Sequence, residues 1–351
     1  MMRTGFNMQH RRFLNCALTS WVVVSLFAVT LSGQVIDKLP EIGVRSIPFY
    51  DSSKQPDVKG RLMSPAALAI ARSGNVYVFD DGNSRIIKLN KNGKFMAEFG
   101  FGGSPEETVT PGGLNDAIAV DSSEHVYVAD AGNPRILVFN SDGSFVRSFR
   151  VPFVIDSLAV NSVGEIFVAV EATRSIPLVY VFSNSGSLLR MTGERIVSAE
   201  GRLSKEVNRA LIAIDSHDNL LMTFRHWPLI RKYSRNGRLL GETSYKVPAQ
   251  LIPESQRKNY SLDFIAKYPN ASYVLPLLAH SISMAQATGY LLLNGHAIVK
   301  FNNNKIQILK ESRFRESEVP SGSLFTRLQA SAGKIYLLDT RSGRIFTVGS
   351  L

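Results

Sequence analysis

The chain has 351 residues, of which 44% are hydrophobic and 20% charged, and its formal net charge is +11. This composition excludes a disordered or collagen-like chain, and the length allows a large hydrophobic core. The positive charge favours acidic partners, polyanions or a membrane surface, and it is concentrated between Arg190 and Lys258, where 13 basic residues stand against 7 acidic ones. A nucleic-acid partner is not expected, because that function would also need aromatic stacking platforms or a recognisable binding module.

Residues 1–33 are typical of an export signal. They contain three arginines and no acidic residue, followed by an apolar run over residues 16–31 and the small pair Ser32-Gly33. The run is shorter than the roughly 20 residues that a membrane-spanning helix needs, so we predict cleavage and a periplasmic or extracellular domain. The alternative is an uncleaved anchor, which would then be the membrane contact. The single cysteine, Cys16, lies in this segment, so the domain from residue 40 to 351 is expected to fold without disulfides.

An internal repeat dominates the rest of the sequence. The stretch Leu68–Phe99 recurs at Ile118–Phe149, at an offset of 50 residues. Each stretch contains short alternating or apolar runs that are separated by Gly, Asn and Asp at positions typical of hairpin turns. The pattern therefore predicts four antiparallel strands in each copy.

The same pattern can be placed on the chain six times, with growing departures. The sixth copy has only three predicted strands, and the run from Gly43 to Tyr50 can supply the fourth, because Pro48 suits an outermost edge strand. Six sheets closed in this way predict an all-β fold, a six-bladed β-propeller with four-stranded antiparallel blades whose last blade is completed by the N-terminal strand. The six copies start close to residues 66, 116, 156, 210, 280 and 325.

The two best copies resemble the NHL repeat. The resemblance rests on Asp80-x-Gly-Asn83-x-Arg85-Ile86 and its counterpart from Asp130 to Ile136, together with the Val-Tyr-Val strands. It is weaker in the other copies and poorest in the fifth. NHL-type propellers serve as protein-binding and RNA-binding modules, and proteins of similar build include metal-dependent amidating lyases and lactonases, so the resemblance implies a fold and leaves the function open.

In such a propeller, one face carries the entries to the inner strands and the turns between second and third strands, and we call it the channel-mouth face. A ligand is expected there. The equivalent entry positions are Ala66, Asp116, Asp156, Ala210, His280 and Thr326. We predict ligand-binding residues on this face, namely Asp116, Asp156, Arg225, His226, His280, His296, Tyr260 and Phe264.

Two metal sites are conceivable at the channel mouth, although no cofactor is predicted. His226, His280 and His296 could hold zinc with an open fourth position, but their spacing has no metal-binding signature. Asp116 and Asp156 could bind calcium or act as an acid and base pair, while the competing interpretation is that each carboxylate accepts backbone N–H bonds from its connector. The recurring Asp80, Asp130 and Asp339 are expected to secure turns, and Arg85, Arg135 and Arg344 to brace neighbouring strands.

The largest departure from the repeat is the insertion at residues 243–279. It combines tyrosines and Phe264 with Lys and Arg, and the stretch Ser255–Tyr268 could form a short helix. This composition suits a partner interface or a lid over the channel mouth, whereas the alternative is a solvated insertion that packs on the face.

No sequence motif indicates catalysis. The chain has no phosphate-binding glycine loop, no Gly-x-Ser-x-Gly elbow and no His-Glu-x-x-His. We therefore predict an exported, monomeric binding module that recognises a protein, peptide or glycan ligand on the channel-mouth face. The alternative is a metal-dependent lyase or lactonase-like hydrolase at the same place.

Overall fold

The computed structural model describes residues 40–42, 44, 50–54, 61–110, 117–130, 132–171, 177–247, 252–315, 318–319 and 321–348. The predicted export signal, most of the predicted closing run and Asp116 lie outside these residues. Within the described ranges, no helix combines the length and the apolar character that crossing a membrane requires.

The structure confirms the predicted six-bladed β-propeller. Two short strands, β1 (Glu41–Ile42) and β2 (Tyr50–Asp51), precede the first blade. The inner strand of each blade is the first in sequence, and the later strands lie progressively outward. The blades are numbered in chain order. Blade 1 consists of β3 to β6 (Pro65–Ile70, Val76–Asp80, Arg85–Leu89, Phe95–Phe99), blade 2 of β7 to β10 (Ala117–Val120, Val126–Asp130, Arg135–Phe139, Phe145–Arg150) and blade 3 of β11 to β14 (Ile155–Val160, Ile166–Val170, Val179–Phe182, Leu188–Thr192). Blade 4 consists of β15 to β18 (Ala210–Ile214, Leu220–Phe224, Leu229–Tyr233, Leu239–Ser244), blade 5 of β19 to β22 (Ala279–Ala285, Thr288–Leu293, Ala297–Asn302, Gln307–Phe314) and blade 6 of β23 to β25 (Phe325–Ser331, Lys334–Asp339, Arg344–Val348).

The N-terminal segment closes the ring, as predicted. Strand β2 pairs antiparallel with β25 and is the fourth strand of blade 6. The Arg344 Nε atom lies 3.1 Å from the Asp51 Oδ1 atom across this pair, which adds a charge contact to the closure. Strand β1 pairs in parallel with β22 and gives blade 5 a fifth strand. This second pairing was not predicted, because two residues carry no readable alternation of apolar and polar side chains.

The hydrophobic core consists of six clusters, one between each pair of neighbouring blades. Tyr77 and Phe79 of blade 1, for example, pack with Val128 and Leu137 of blade 2. The cluster that contains Tyr50 joins blade 6 to blade 1, so the ring of interfaces is complete. The second and third strands are almost wholly buried, because each packs on a neighbouring blade through both of its faces. This explains why these strands are continuously apolar in the sequence instead of alternating.

Three short helices lie in the connectors before blades 4 and 5. Helix α1 (Arg202–Val207) precedes blade 4, and α2 (Glu254–Arg257) and α3 (Leu262–Lys267) belong to the insertion. The insertion thus contains two helices where the sequence predicted one. The Ser261 hydroxyl accepts a hydrogen bond from the Phe264 N–H and caps α3, which explains where that helix begins.

Candidate functional site

The predicted ring of entry positions is built from β-bulges. Asp156 and His280 are each the extra residue of a bulge at the start of the inner strands β11 and β19. Ala66 and Thr326 occupy the same bulge position in β3 and β23, whereas β15 starts without a bulge at Ala210. A bulge redirects one side chain out of the alternating pattern, so the Asp156 and His280 side chains are available to the channel.

A small cavity lies on the propeller axis at this level, and we call it the axial cavity. Its volume is about 60 Å³, which is room for about four water molecules. All six inner strands contribute to its wall. The polar side chains in the wall are Asp156, Ser157, Arg225, His280, Ser281, Arg327 and Gln329.

Asp156 is paired with an arginine that the sequence analysis did not select. The Asp156 carboxyl group is 2% exposed, and its Oδ1 atom accepts hydrogen bonds from Arg209 Nε at 2.9 Å and from an Arg209 terminal nitrogen at 2.6 Å. The Oδ2 atom has no hydrogen-bond partner among the described residues. The two residues are 53 positions apart, so no local sequence pattern could have linked them.

Arg225 follows strand β16 directly and is 6% exposed. Its backbone N–H donates to Arg209 O at 2.9 Å, and its guanidinium donates to Asp156 O at 3.2 Å. Its Nε atom has no hydrogen-bond partner in the part of the chain that the structure describes. Burial, followed by the nearby Arg327 charge, lowers the pKa of Arg225 to about 9, which indicates a guanidinium with too little negative charge around it.

The three predicted histidines occupy different environments. His280 lines the axial cavity, and burial together with Arg327 and Arg225 lowers its pKa to about 4, so it is neutral at pH 7. His226 is half-buried and donates from Nδ1 to Pro276 O at 3.0 Å, and burial lowers its pKa as well. His296 is exposed and donates from Nδ1 to Asn294 O. Only His280 contributes to the cavity wall.

A larger depression lies beside the axial cavity on the channel-mouth face, and we call it the mouth groove. Its volume is about 520 Å³. Helix α1 forms one side, and the chain after α3 approaches it closely, with the Leu203 N–H donating to Pro269 O at 2.8 Å. The groove is lined by Glu171, Gly201, Arg202, Lys205, Glu206, Arg209 and Asn270. Because Arg209 also holds Asp156, the mouth groove and the axial cavity share this ion pair.

The predicted aromatic residues of the insertion pack against the propeller. The Tyr260 ring lies 5.0 Å from Trp227 between centroids, and its hydroxyl donates to His226 O. Phe264 is half-buried and packs on Tyr268 and Tyr273. Much of the surface of both side chains is therefore covered by internal contacts. A direct role of Tyr260 and Phe264 in ligand binding stays a prediction.

The structure brings together three of the predicted site residues, namely Asp156, Arg225 and His280. Among the described residues, no group of three or more His, Cys, Asp or Glu side chains could hold a metal ion. Asp116 lies outside those residues, so the predicted Asp116 and Asp156 pair stays a prediction. Arg209, Arg327 and helix α1 were not predicted to contribute to the site. The excess of basic residues between Arg190 and Lys258 was a signal for Arg209 and α1, whereas Arg327 lies outside that stretch.

The recurring aspartates have a different role from Asp156. Asp130 accepts from the Thr110 N–H at 2.8 Å and from Arg135 Nε at 2.8 Å, and Asp80 makes the corresponding contacts with the Met63 N–H and with Arg85. Each carboxylate thereby ties its turn to the connector that enters the blade.

The sequence matches no protein-family model and no curated protein, so the resemblance to the NHL repeat stays a prediction. Solved structures with a similar fold include an exported protein of Bacteroides fragilis described as putative in its name, with 12% identity, a TM-score of 0.57 and coverage of 90% of this chain and 96% of that one. A streptogramin B lyase has 14% identity, a TM-score of 0.51 and coverage of 90% and 98%. The virginiamycin B lyase of Staphylococcus aureus has 13% identity, a TM-score of 0.50 and coverage of 90% and 99%. At such low identity, these likenesses show that the chain has the fold of six-bladed propeller-like proteins.

Proposed function

We propose that this protein is an exported binding module that takes a peptide, protein or glycan ligand in the mouth groove. The N-terminal signal pattern supports export, and one protein of similar fold carries the description exported in its name. The observation that carries the proposal is the position of Arg209, which lines the groove and is hydrogen-bonded to the buried Asp156. A ligand in the groove therefore contacts a residue that reaches the axis of the propeller.

The mouth groove also has the composition of a recognition surface. Arg202 and Lys205 contribute positive charge on α1, and the Arg202 Nε atom lies 3.0 Å from the Glu206 Oε1 atom in an exposed pair that a ligand can displace at little cost. Asn270 and Glu171 add neutral and acidic polar groups. Mixed donors and acceptors around an open depression favour a polar ligand, such as a peptide or a glycan, over an apolar one.

The proposal is tested with the full chain on peptide and glycan arrays. The variant Arg202→Glu/Lys205→Glu reverses the charge of α1, and we expect it to weaken binding by at least about tenfold. The matched control is Lys91→Glu/Lys94→Glu, which makes the same charge change on the hairpin between β5 and β6, on the opposite face of the propeller. This control should bind like the unmodified chain.

Equal losses in both variants would contradict the proposal, because they would show a general charge effect instead of a site. A stoichiometric content of calcium or zinc in the purified protein would favour the lyase or hydrolase alternative.

A further inference from the structure

Three buried polar atoms without hydrogen-bond partners among the described residues belong to side chains in the wall of the axial cavity. They are Asp156 Oδ2, Arg225 Nε and His280 Nε2. A buried polar atom of this kind requires water or a ligand, since leaving it unsatisfied is strongly unfavourable. The three residues come from blades 3, 4 and 5 and contribute to the wall of one space of about 60 Å³.

The chemistry of these atoms defines the group that would satisfy them. Arg225 Nε can only donate a hydrogen bond, whereas the Asp156 carboxylate, which is paired with Arg209, offers its Oδ2 atom as an acceptor. The His280 ring is neutral at pH 7, because burial and the nearby Arg327 and Arg225 charges lower its pKa to about 4, so its Nε2 atom can donate or accept according to the tautomer. The complementary ligand group therefore carries an acceptor and a donor within a few atoms of each other.

The charges decide which acceptor fits best. Arg209 and Asp156 form an ion pair, while Arg225 and Arg327 add two further guanidinium groups to the described part of the cavity wall. A compact anion is therefore favoured, and guanidinium groups bind carboxylates with matched geometry. A phosphate group is disfavoured, because its several acceptor oxygens would face the acceptor Asp156 Oδ2.

We propose that the axial cavity binds a carboxylate whose neighbouring carbon carries an N–H or O–H donor, as in the C-terminal residue of a peptide or in an α-hydroxy acid. The carboxylate accepts from Arg225, and the neighbouring donor faces Asp156 Oδ2. This inference rests on the proposed function, since the group is the end of the ligand that occupies the mouth groove. Arg209 then contacts the ligand where it passes from the groove to the axis.

The test uses small probes that fill the cavity alone. Glycolate, glycine, acetate and inorganic phosphate are added separately to the full chain at about 50 mM, with sodium chloride matching the ionic strength, and thermal unfolding is followed. We expect glycolate and glycine to raise the melting temperature by about 4 °C, as millimolar affinity predicts. Acetate lacks the neighbouring donor and should bind at least about tenfold more weakly.

Variants assign the effect to the cavity. Arg225→Gln should remove the shift caused by glycolate, whereas the matched control Arg341→Gln, an exposed arginine on the same face, should keep it. If Arg225→Gln unfolds, Asp156→Asn serves instead, because it replaces the accepting carboxylate and should abolish the preference for glycolate over acetate. Equal shifts for glycolate and acetate, a shift with phosphate alone, or water as the only occupant would overturn the proposal.

Failure of this inference can be distinguished from failure of the proposed function. If no probe binds but Arg202→Glu/Lys205→Glu still loses binding to the arrays, the proposed carboxylate site is wrong and ligand binding in the mouth groove is supported. If glycolate binds through Arg225 but the groove variant binds the arrays normally, the groove is wrong and the axial site remains.

Discussion

Blades 6, 1 and 2 differ from blades 3, 4 and 5 at the end of the second strand. The first group ends this strand with an aspartate, as at Asp130, whose carboxylate binds backbone N–H groups and fixes the turn. The second group ends it with Val170, Phe224 and Leu293, which are buried apolar residues. In blade 4 the next residue is Arg225, whose side chain lines the axial cavity instead of securing its own turn.

The first half of the ring uses its aspartates to stabilise turns, whereas the second half places Asp156, Arg225 and His280 in the wall of the axial cavity. Within the described residues, Asp80 and Asp130 of the first group each have several hydrogen-bond partners, whereas Asp156, Arg225 and His280 of the second group each keep one polar atom without a partner. Single unpaired polar atoms also occur elsewhere in both groups, as at Arg147 and Arg190, but only these three belong to residues in the described wall of the axial cavity. Natural proteins tolerate such unsatisfied groups chiefly at functional sites, because the groups become satisfied when a ligand binds. The helices α1, α2 and α3 also lie only in connectors of the second group, as far as the described residues extend.

The largest expected effect is a difference in folding stability between variants at Asp130 and at Asp156. The change Asp130→Ala should lower the free energy of unfolding by about 3 kcal/mol or more, because it leaves the buried Arg135 without its carboxylate. The change Asp156→Ala should lower it by only about 1 kcal/mol, because the Arg209 side chain is 28% exposed and can be hydrated through the mouth groove. Urea unfolding of both variants measures the difference, and equal losses would contradict the division into two halves.

The second prediction concerns pH. His280 has a pKa of about 4 in the folded protein, below the ordinary value of 6.5, because burial and then Arg327, Arg225 and His296 disfavour its charged form. Between pH 6.5 and pH 4 the unfolded chain therefore binds more protons at this residue, so His280 makes the folded state less stable as the pH falls, by up to about 3 kcal/mol.

The variant His280→Gln isolates this contribution. Its free energy of unfolding should fall less than that of the unmodified chain between pH 6.5 and pH 4. Asp80 and Asp130 are expected to make the folded state more stable as the pH falls, because burial raises the pKa of each carboxyl group and the folded state then binds more protons there. Both proteins share those residues, so their effect cancels in the difference, and identical pH profiles would refute the assignment to His280.

The smallest expected effect tests the contact between the two connectors. Gly201 has a φ of +138°, and a Cβ atom there would lie 2.7 Å from Pro269 O and 2.7 Å from Asn270 Oδ1. The change Gly201→Ala should therefore lower the free energy of unfolding by about 2 kcal/mol. Gly333→Ala is the control in blade 6, because Gly333 has a φ of +74° and open space around it, so only the backbone cost of about 1 kcal/mol applies. Equal losses in chemical denaturation would mean that the connectors are not held together at Gly201.

The sequence by itself determined the blade number, the strand pattern and the closure by Tyr50, because each depends on local alternation and turn residues that repeat along the chain. The repeat also predicts that Asp156, Arg225 and His280 lie on one face, and the structure places all three in the wall of the axial cavity. The pairing of Asp156 with Arg209, the contribution of Arg327 and the mouth groove were decided only by the tertiary structure. These contacts join side chains from different blades, and closing the ring brings them together, whereas no local spacing records them.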